Sequence, residues 1–151
     1  MANFSGELLD NGIVEFTRNV CVFIGPTPGY SGPEAITIAN VVDSAGVHAK
    51  ATDRIAVVEW SKFAGWVALF SLSLLARTNT GTFLDNGSFA SLGVSMIKEM
   101  AEIASARGID LIDQSPLPVA TIAQAHNDVA VDALRAVGQD LMGSAPQHRM
   151  S

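Results

Sequence analysis

The sequence predicts a mainly α chain, a helical bundle carrying a small β appendage. Three observations predict it. β-branched and aromatic residues are concentrated early, between Gly12 and Ile24. Long segments with apolar residues at helical spacing fill the rest, and the turn-forming clusters separate these segments rather than interrupt them. The resulting order is strand, strand, helix, then three further helices, which suits an antiparallel or crossing bundle.

Gly12 to Thr17 alternates apolar and polar residues as a half-buried strand does, and Val20 to Ile24 is β-branched and aromatic. Together they predict a hairpin or adjacent strand pair joined at Arg18-Asn19. Two strands alone are marginal in water, so the pair reads as the edge of a larger sheet. The glycine- and proline-rich run Gly25 to Gly32 is a loop. Pro33 then opens a helix to about Ser44, with Ser31 or Gly32 near its N-cap and Gly46 ending it. Val47 to Ala51 is a short extended piece. Asp53 is the expected N-cap of the longest helix, Arg54 to Arg77, and Thr78 to Gly87 is a polar turn. A second long helix, Ser88 to Arg107, places Leu92, Met96, Met100 and Ile103 on one face, with Gly108 as its C-cap. After the loop Ile109 to Pro118, a third helix runs from Val119 to Met142. Its inner side is Ile122, Ala125, Val129, Ala133, Val137 and Leu141. Gly143 to Ser151 is a polar exit.

Composition narrows the function. With 48% apolar and 16% charged residues in 151, the chain can bury a core. A net charge of −6 and nine scattered basic residues argue against a nucleic-acid surface. Cys21 is the one cysteine, set in Val20-Cys21-Val22-Phe23-Ile24; a buried, inert thiol is favoured over a nucleophile because no His or Asp accompanies it. His48, His126 and His148 lie far apart and form no metal-ligand spacing. The N-terminus lacks the basic-then-apolar pattern of a signal peptide, so a cytoplasmic setting is expected. Phe63 to Ala76 is very apolar but falls short of the roughly 20 residues needed to cross a bilayer, which predicts a buried core helix and no membrane partner.

Two sites bear on chemistry. Gly25 to Gly32 sits between a strand and a helix, as phosphate loops do, but it contains no Gly-x-Gly-x-x-Gly, and Pro26 and Pro28 remove backbone donors. A structural connection is favoured. In Trp60-Ser61-Lys62, the lysine precedes two nearly apolar turns, with Trp66, Phe70 and Ser73 along its side of the helix. From the residues alone Lys62 reads as snorkelling to solvent, pairing with Glu59; a catalytic role requires a partner and a pocket.

The order of motifs resembles the ketopantoate (2-dehydropantoate 2-) reductase family. The resemblance rests on Phe23-Ile24-Gly25 with a loop and a helix ending Ala45-Gly46, then Trp60-Ser61-Lys62. Ile97-Lys98-Glu99-Met100 with Ala106-Arg107-Gly108-Ile109, and a terminal Met150-Ser151, continue it. It implies that residues 1–52 are the last strands and helix of an incomplete Rossmann-type domain. Residues 53–151 would be a helical substrate and dimerisation domain, resembling the C-terminal domain of 6-phosphogluconate dehydrogenase and truncated at its C-terminus. It also implies an NADPH-dependent oxidoreductase of pantothenate biosynthesis that reduces a small 2-oxo acid. Lys62 would be the general-acid lysine, with Ser151, Trp66 and Phe70 facing substrate. The family carries asparagines four and eight residues after the lysine; here Trp66 and Phe70 stand there, which implies a less polar or aromatic substrate than ketopantoate. The dinucleotide fingerprint is expected before this chain, so NADPH belongs to the full-length enzyme and none is expected on this chain alone. The alternative is a non-catalytic helical module for oligomerisation or apolar-ligand binding, and a homodimer through the helical domain is compatible with either.

Overall fold

The computed structural model describes residues 1–26 and 34–143. In chain order the elements are β1 (Ala2–Leu8), β2 (Val14–Ile24), α1 (Glu34–Ser44), β3 (Ala49–Ala51), α2 (Ile55–Ala76), α3 (Thr80–Asp85), α4 (Gly87–Ala106), α5 (Val119–Gln124) and α6 (Asn127–Gly143). The fold is mainly α, as the hydrophobic periodicity predicts. The elements sort into two compact units, Met1–Glu59 and Trp60–Ser151, with the boundary inside α2.

In the first unit a three-stranded sheet has the order β1-β2-β3. β1 and β2 are antiparallel, whereas β2 and β3 are parallel and joined through α1. The expected hairpin is corrected here. Arg18-Asn19 is no connection, because Val14 to Ile24 is one unbroken strand whose hairpin partner is β1. The reversal lies at Asp10-Asn11-Gly12. Gly12 has φ +80°, the Leu9 N–H donates to Ile13 O, and the Ile13 N–H donates to Asn11 Oδ1. An Asn-Gly pair favours such a turn because glycine takes positive φ without a Cβ clash. β1 itself, rich in weak strand formers, becomes a strand through pairing. Asn19 stays in β2 by bonding sideways: its side-chain amide donates to Gly46 O at 2.9 Å, and its oxygen accepts the His48 N–H at 3.2 Å.

α1 ends as expected. Gly46 adopts φ +89°, and the Gly46 and Val47 N–H groups return to Asp43 O and Val42 O, so the last carbonyls are satisfied. The expected start at Pro33, with Ser31 or Gly32 as cap, lies outside the described residues. Cys21 is buried, and that burial raises its thiol pKa, as an inert core thiol requires. The first helical bond of α2, Val58 N–H to Arg54 O, puts its cap at Arg54 rather than Asp53.

The second unit is built around a core drawn from α2, α3, α4, α5 and α6, with Leu72, Phe83, Leu84, Ile97, Ile122 and Leu134 essentially inaccessible. Three expectations change. Thr78 to Gly87 contains α3, which plants Phe83 and Leu84 in the core; Asn79 caps it by accepting the Thr82 N–H. α4 buries Ala90, Gly93, Val94, Ile97 and Ala104, while Leu92 is 45% exposed. Small residues decide this orientation: a Cβ on Gly93 would stand 2.9 Å from Leu134 Cδ2 and 3.1 Å from Leu72 Cδ1, so the helices meet where the side chain is absent. The single helix expected over Val119 to Met142 is two. Ala125 is extended at ψ 156°, and the break resets the helical phase, so α6 buries Ala130, Leu134 and Gly138 and leaves Val129 59% exposed. Lys98 holds the break, donating to Ala125 O at 2.8 Å and to Asn127 Oδ1 at 2.7 Å.

At 22 residues α2 is longer than its apolar run, and by length and composition it is able to cross a membrane, contrary to the shorter span expected. Within the second unit, however, Ala68, Leu69 and Leu72 form part of the hydrophobic core, which is the position of a core helix in a globular domain.

Candidate active site

α2 presents two unlike faces within the second unit. At about 100° per residue, Ser61, Gly65, Ala68 and Leu72 fall on one stripe, and all four are buried. Trp66 and Phe70 lie on the far side, 46% and 49% exposed, with Phe63 and Leu74 beside them. Lys62 stands on the seam between these faces and is half-buried. Loss of hydration there lowers its ammonium pKa from the ordinary lysine value, because burial disfavours the charged form. Its Nζ lies 5.7 Å from the centre of the Trp66 ring, within cation–π range.

Of the residues that the sequence singled out along this helix, Lys62 and Trp66 are in contact, and Phe70 lies two turns from Lys62 on the exposed side. Ser151 lies outside the described residues. Arg107 and Trp60 stack at 5.3 Å, and Trp60 meets Phe63 edge-on at 6.1 Å, giving the start of the helix an aromatic flank. Such a face, a cation of lowered pKa beside exposed rings, can donate a proton or hydrogen bond to an anionic or carbonyl group while apolar surface holds the remainder of a ligand.

Residues behind the lysine were not singled out from the sequence. Ser61 is 1% exposed, and its Oγ accepts the Ile112 N–H at 2.9 Å. A Cβ on Gly65 would stand 2.8 Å from Leu117 Cδ1 and 3.0 Å from Val119 Cγ1, so the segment before α5 is seated directly on α2. Asp113 accepts both the hydroxyl and the N–H of Thr121. Burial by itself would raise the Asp113 pKa, but these hydrogen bonds, with one from Ala120 N–H, hold the carboxyl below its usual range. The signal was present as small residues at Ser61, Gly65 and Ala68, one helical turn apart, which mark a close-packed helix face.

Among the described residues no group of His, Cys, Asp and Glu could hold a metal ion. His48 and His126 sit 3.8 Å from Asp43 and Asp128 on exposed surface, and His148 lies outside the described residues. Gly25, which opens the glycine-rich loop, is already filled around: a Cβ there would meet Thr52 O and Ile55 Cβ. Its missing side chain serves chain packing.

No curated protein and no solved structure matches the chain significantly. The family model for "Ketopantoate reductase PanE/ApbA C terminal" matches residues 54–151, a span that includes Lys62, Trp66 and Phe70 and nearly two-thirds of the sequence. On that match the chain belongs to the ketopantoate reductase family, through its C-terminal helical domain.

Proposed function

We propose that this chain supplies the carbonyl-activating lysine of an NADPH-dependent 2-oxo-acid reductase, an oxidoreductase acting on a keto group. The observation that carries this is the seat of Lys62: half-buried, lowered in pKa, and set against Trp66 inside the family-matched region. A lysine so placed gives up a proton more readily than an exposed one, as a general acid working near neutral pH requires. Lys62 Nζ would hydrogen-bond the ketone oxygen and protonate it as the alcohol forms. NADPH supplies hydride in the family. Trp66 and Phe70 would contact the substrate's side chain. Two rings accept no buried hydroxyl as amides would, and an unmatched polar group costs about 1–3 kcal/mol, so a less polar or aromatic 2-oxo acid is preferred to ketopantoate. Domain roles follow the same reading: residues 1–52 complete a nucleotide domain, and residues 53–151 form the substrate domain of a cytoplasmic enzyme.

Turnover of a 2-oxo-acid panel by the natural gene product, followed through NADPH absorbance, tests this. Lys62→Met is expected to lower kcat by about 10²–10⁴-fold. A folded Lys62→Met protein with unchanged kcat refutes the role of the lysine, and strong preference for ketopantoate refutes the substrate class.

A second reading, a non-catalytic helical module for self-association or apolar-ligand binding, is favoured by the exposed row Phe63, Trp66, Phe70 and Leu74. Sedimentation equilibrium separates the two. A dimer that dissociates in Trp66→Ser/Phe70→Ser, together with no turnover on any oxo acid, supports the module.

A further inference from the structure

We infer that Ser61 is a positioning residue for Lys62: by accepting the Ile112 N–H it straps the segment Ile109–Leu117 to one face of α2 and fixes the rotation of the helix that carries the lysine. The inference rests on the reading of Lys62 as the group that meets the carbonyl. Three observations carry it. Ser61 is almost inaccessible, yet it spends its oxygen on a backbone N–H 51 residues away, so its hydroxyl serves a tertiary contact. One turn further along α2, Gly65 lets Leu117 and Val119 sit against the helix backbone, so the same segment touches α2 at two successive turns. The segment is itself anchored at its far side, where Asp113, next to Ile112, bonds the N–H and hydroxyl of Thr121 at the start of α5.

The consequence for Lys62 is geometric. It lies about 100° around the helix from Ser61, at the edge of the buried stripe. A residue in the middle of a stripe is insensitive to a small rotation, but one on the seam is carried inward or outward by it. The strap therefore sets how far the ammonium is withdrawn from water. Ser61 touches no reacting atom in this scheme and acts through Lys62 alone.

The test uses the titration of Lys62 itself. The chain has three lysines, Lys50, Lys62 and Lys98, so ¹³Cε-lysine NMR of the intact protein gives three resolvable signals, assigned by Lys→Arg variants. In Ser61→Ala the Lys62 midpoint is expected to move upward, and Ser61→Thr, which keeps the acceptor, is expected to retain the wild-type midpoint. Where turnover is measurable, Ser61→Ala lowers kcat by up to about a hundredfold with little change in KM, as a misplaced catalytic group does. A folded Ser61→Ala protein with an unchanged Lys62 midpoint overturns the inference. If Ser61→Ala does not fold, Asp113→Asn decides: it loosens the far end of the strap, and an unmoved Lys62 signal there overturns the inference equally. The titration needs neither substrate nor cofactor. A shifted Lys62 in a protein without reductase activity would leave the strap intact and sink the catalytic reading, whereas activity lost in Lys62→Met beside an unmoved midpoint in Ser61→Ala would sink only the strap.

Discussion

Replacing Gly138 by alanine sets two effects of known sign against each other. Gly138 lies inside α6, where alanine in place of glycine favours the helix by about 1 kcal/mol. The added Cβ, however, would stand 2.7 Å from Leu84 Cβ, 2.9 Å from Asp85 N and 3.0 Å from Gly81 O. The closest approach is about 0.7 Å inside ordinary van der Waals contact, and two of the three neighbours are backbone atoms that cannot rotate away. Overpacking costs about 1–3 kcal/mol, and the rigidity of these neighbours puts it at the upper end. Relief requires α3 to move off α6, which stretches the Arg135 Nε–H bond to Asp85 O at 2.9 Å and the Gln139 amide bond to Asp85 Oδ1 at 2.9 Å. The net expectation is a loss of about 2 kcal/mol, or a Tm lower by roughly 4–8 °C. Both tryptophans, Trp60 and Trp66, lie in the same unit as α6, so urea unfolding followed by tryptophan fluorescence reports that unit. Gly87→Ala, with nothing within 4 Å of its added Cβ, is the control and is expected to be neutral or stabilising. If Gly138→Ala proves as stable as wild type, the close α3–α6 crossing is wrong.

Lys98→Met is expected to destabilise the second unit by about 1–3 kcal/mol, since it strips charge-assisted bonds from Ala125 O and Asn127 at the helix break; amide exchange should rise first at the start of α6. Phe83→Ala should cost about 3–5 kcal/mol in urea unfolding, because the ring is buried on all sides. The lowered Asp113 pKa stabilises the fold above the usual carboxylate range and ceases to do so as pH falls through the lowered value. Wild type should therefore lose stability relative to Asp113→Asn on acidification below about pH 4, and parallel curves would remove Asp113 as the α5 anchor. Lys62 has the opposite form. Its lowered pKa makes the protonated native state the costly one, so stability rises with pH from that lowered value up to the ordinary lysine value; Lys62→Met should abolish the rise.

Much of the fold was legible because its signals are local. α2 and α4 came within a residue or two of their observed limits because periodicity and helix ends are written in neighbouring residues, such as Gly46 after α1 and Gly108 after α4. What failed was whatever depends on a partner. β1 has little strand propensity and is a strand because β2 lies beside it. α3 looks like a turn until Phe83 and Leu84 find the core. α4 turns Ala90, Gly93 and Ala104 inward together with Val94 and Ile97 and leaves Leu92 outside, since glycine and alanine let helices approach, and apolar size alone does not encode which face does so.

The candidate site divides in the same way. The sequence by itself determined that Lys62, Trp66 and Phe70 share a side of one helix, because a period of 3.6 residues is a property of the backbone. Only the tertiary structure decided how that side is used. Burial of Ser61, Gly65, Ala68 and Leu72 turns the aromatic rings outward and leaves Lys62 on the seam, where partial loss of water lowers its pKa. What packs behind the helix includes the segment Ile109 to Val119, about 50 residues away in the chain and invisible to any local pattern.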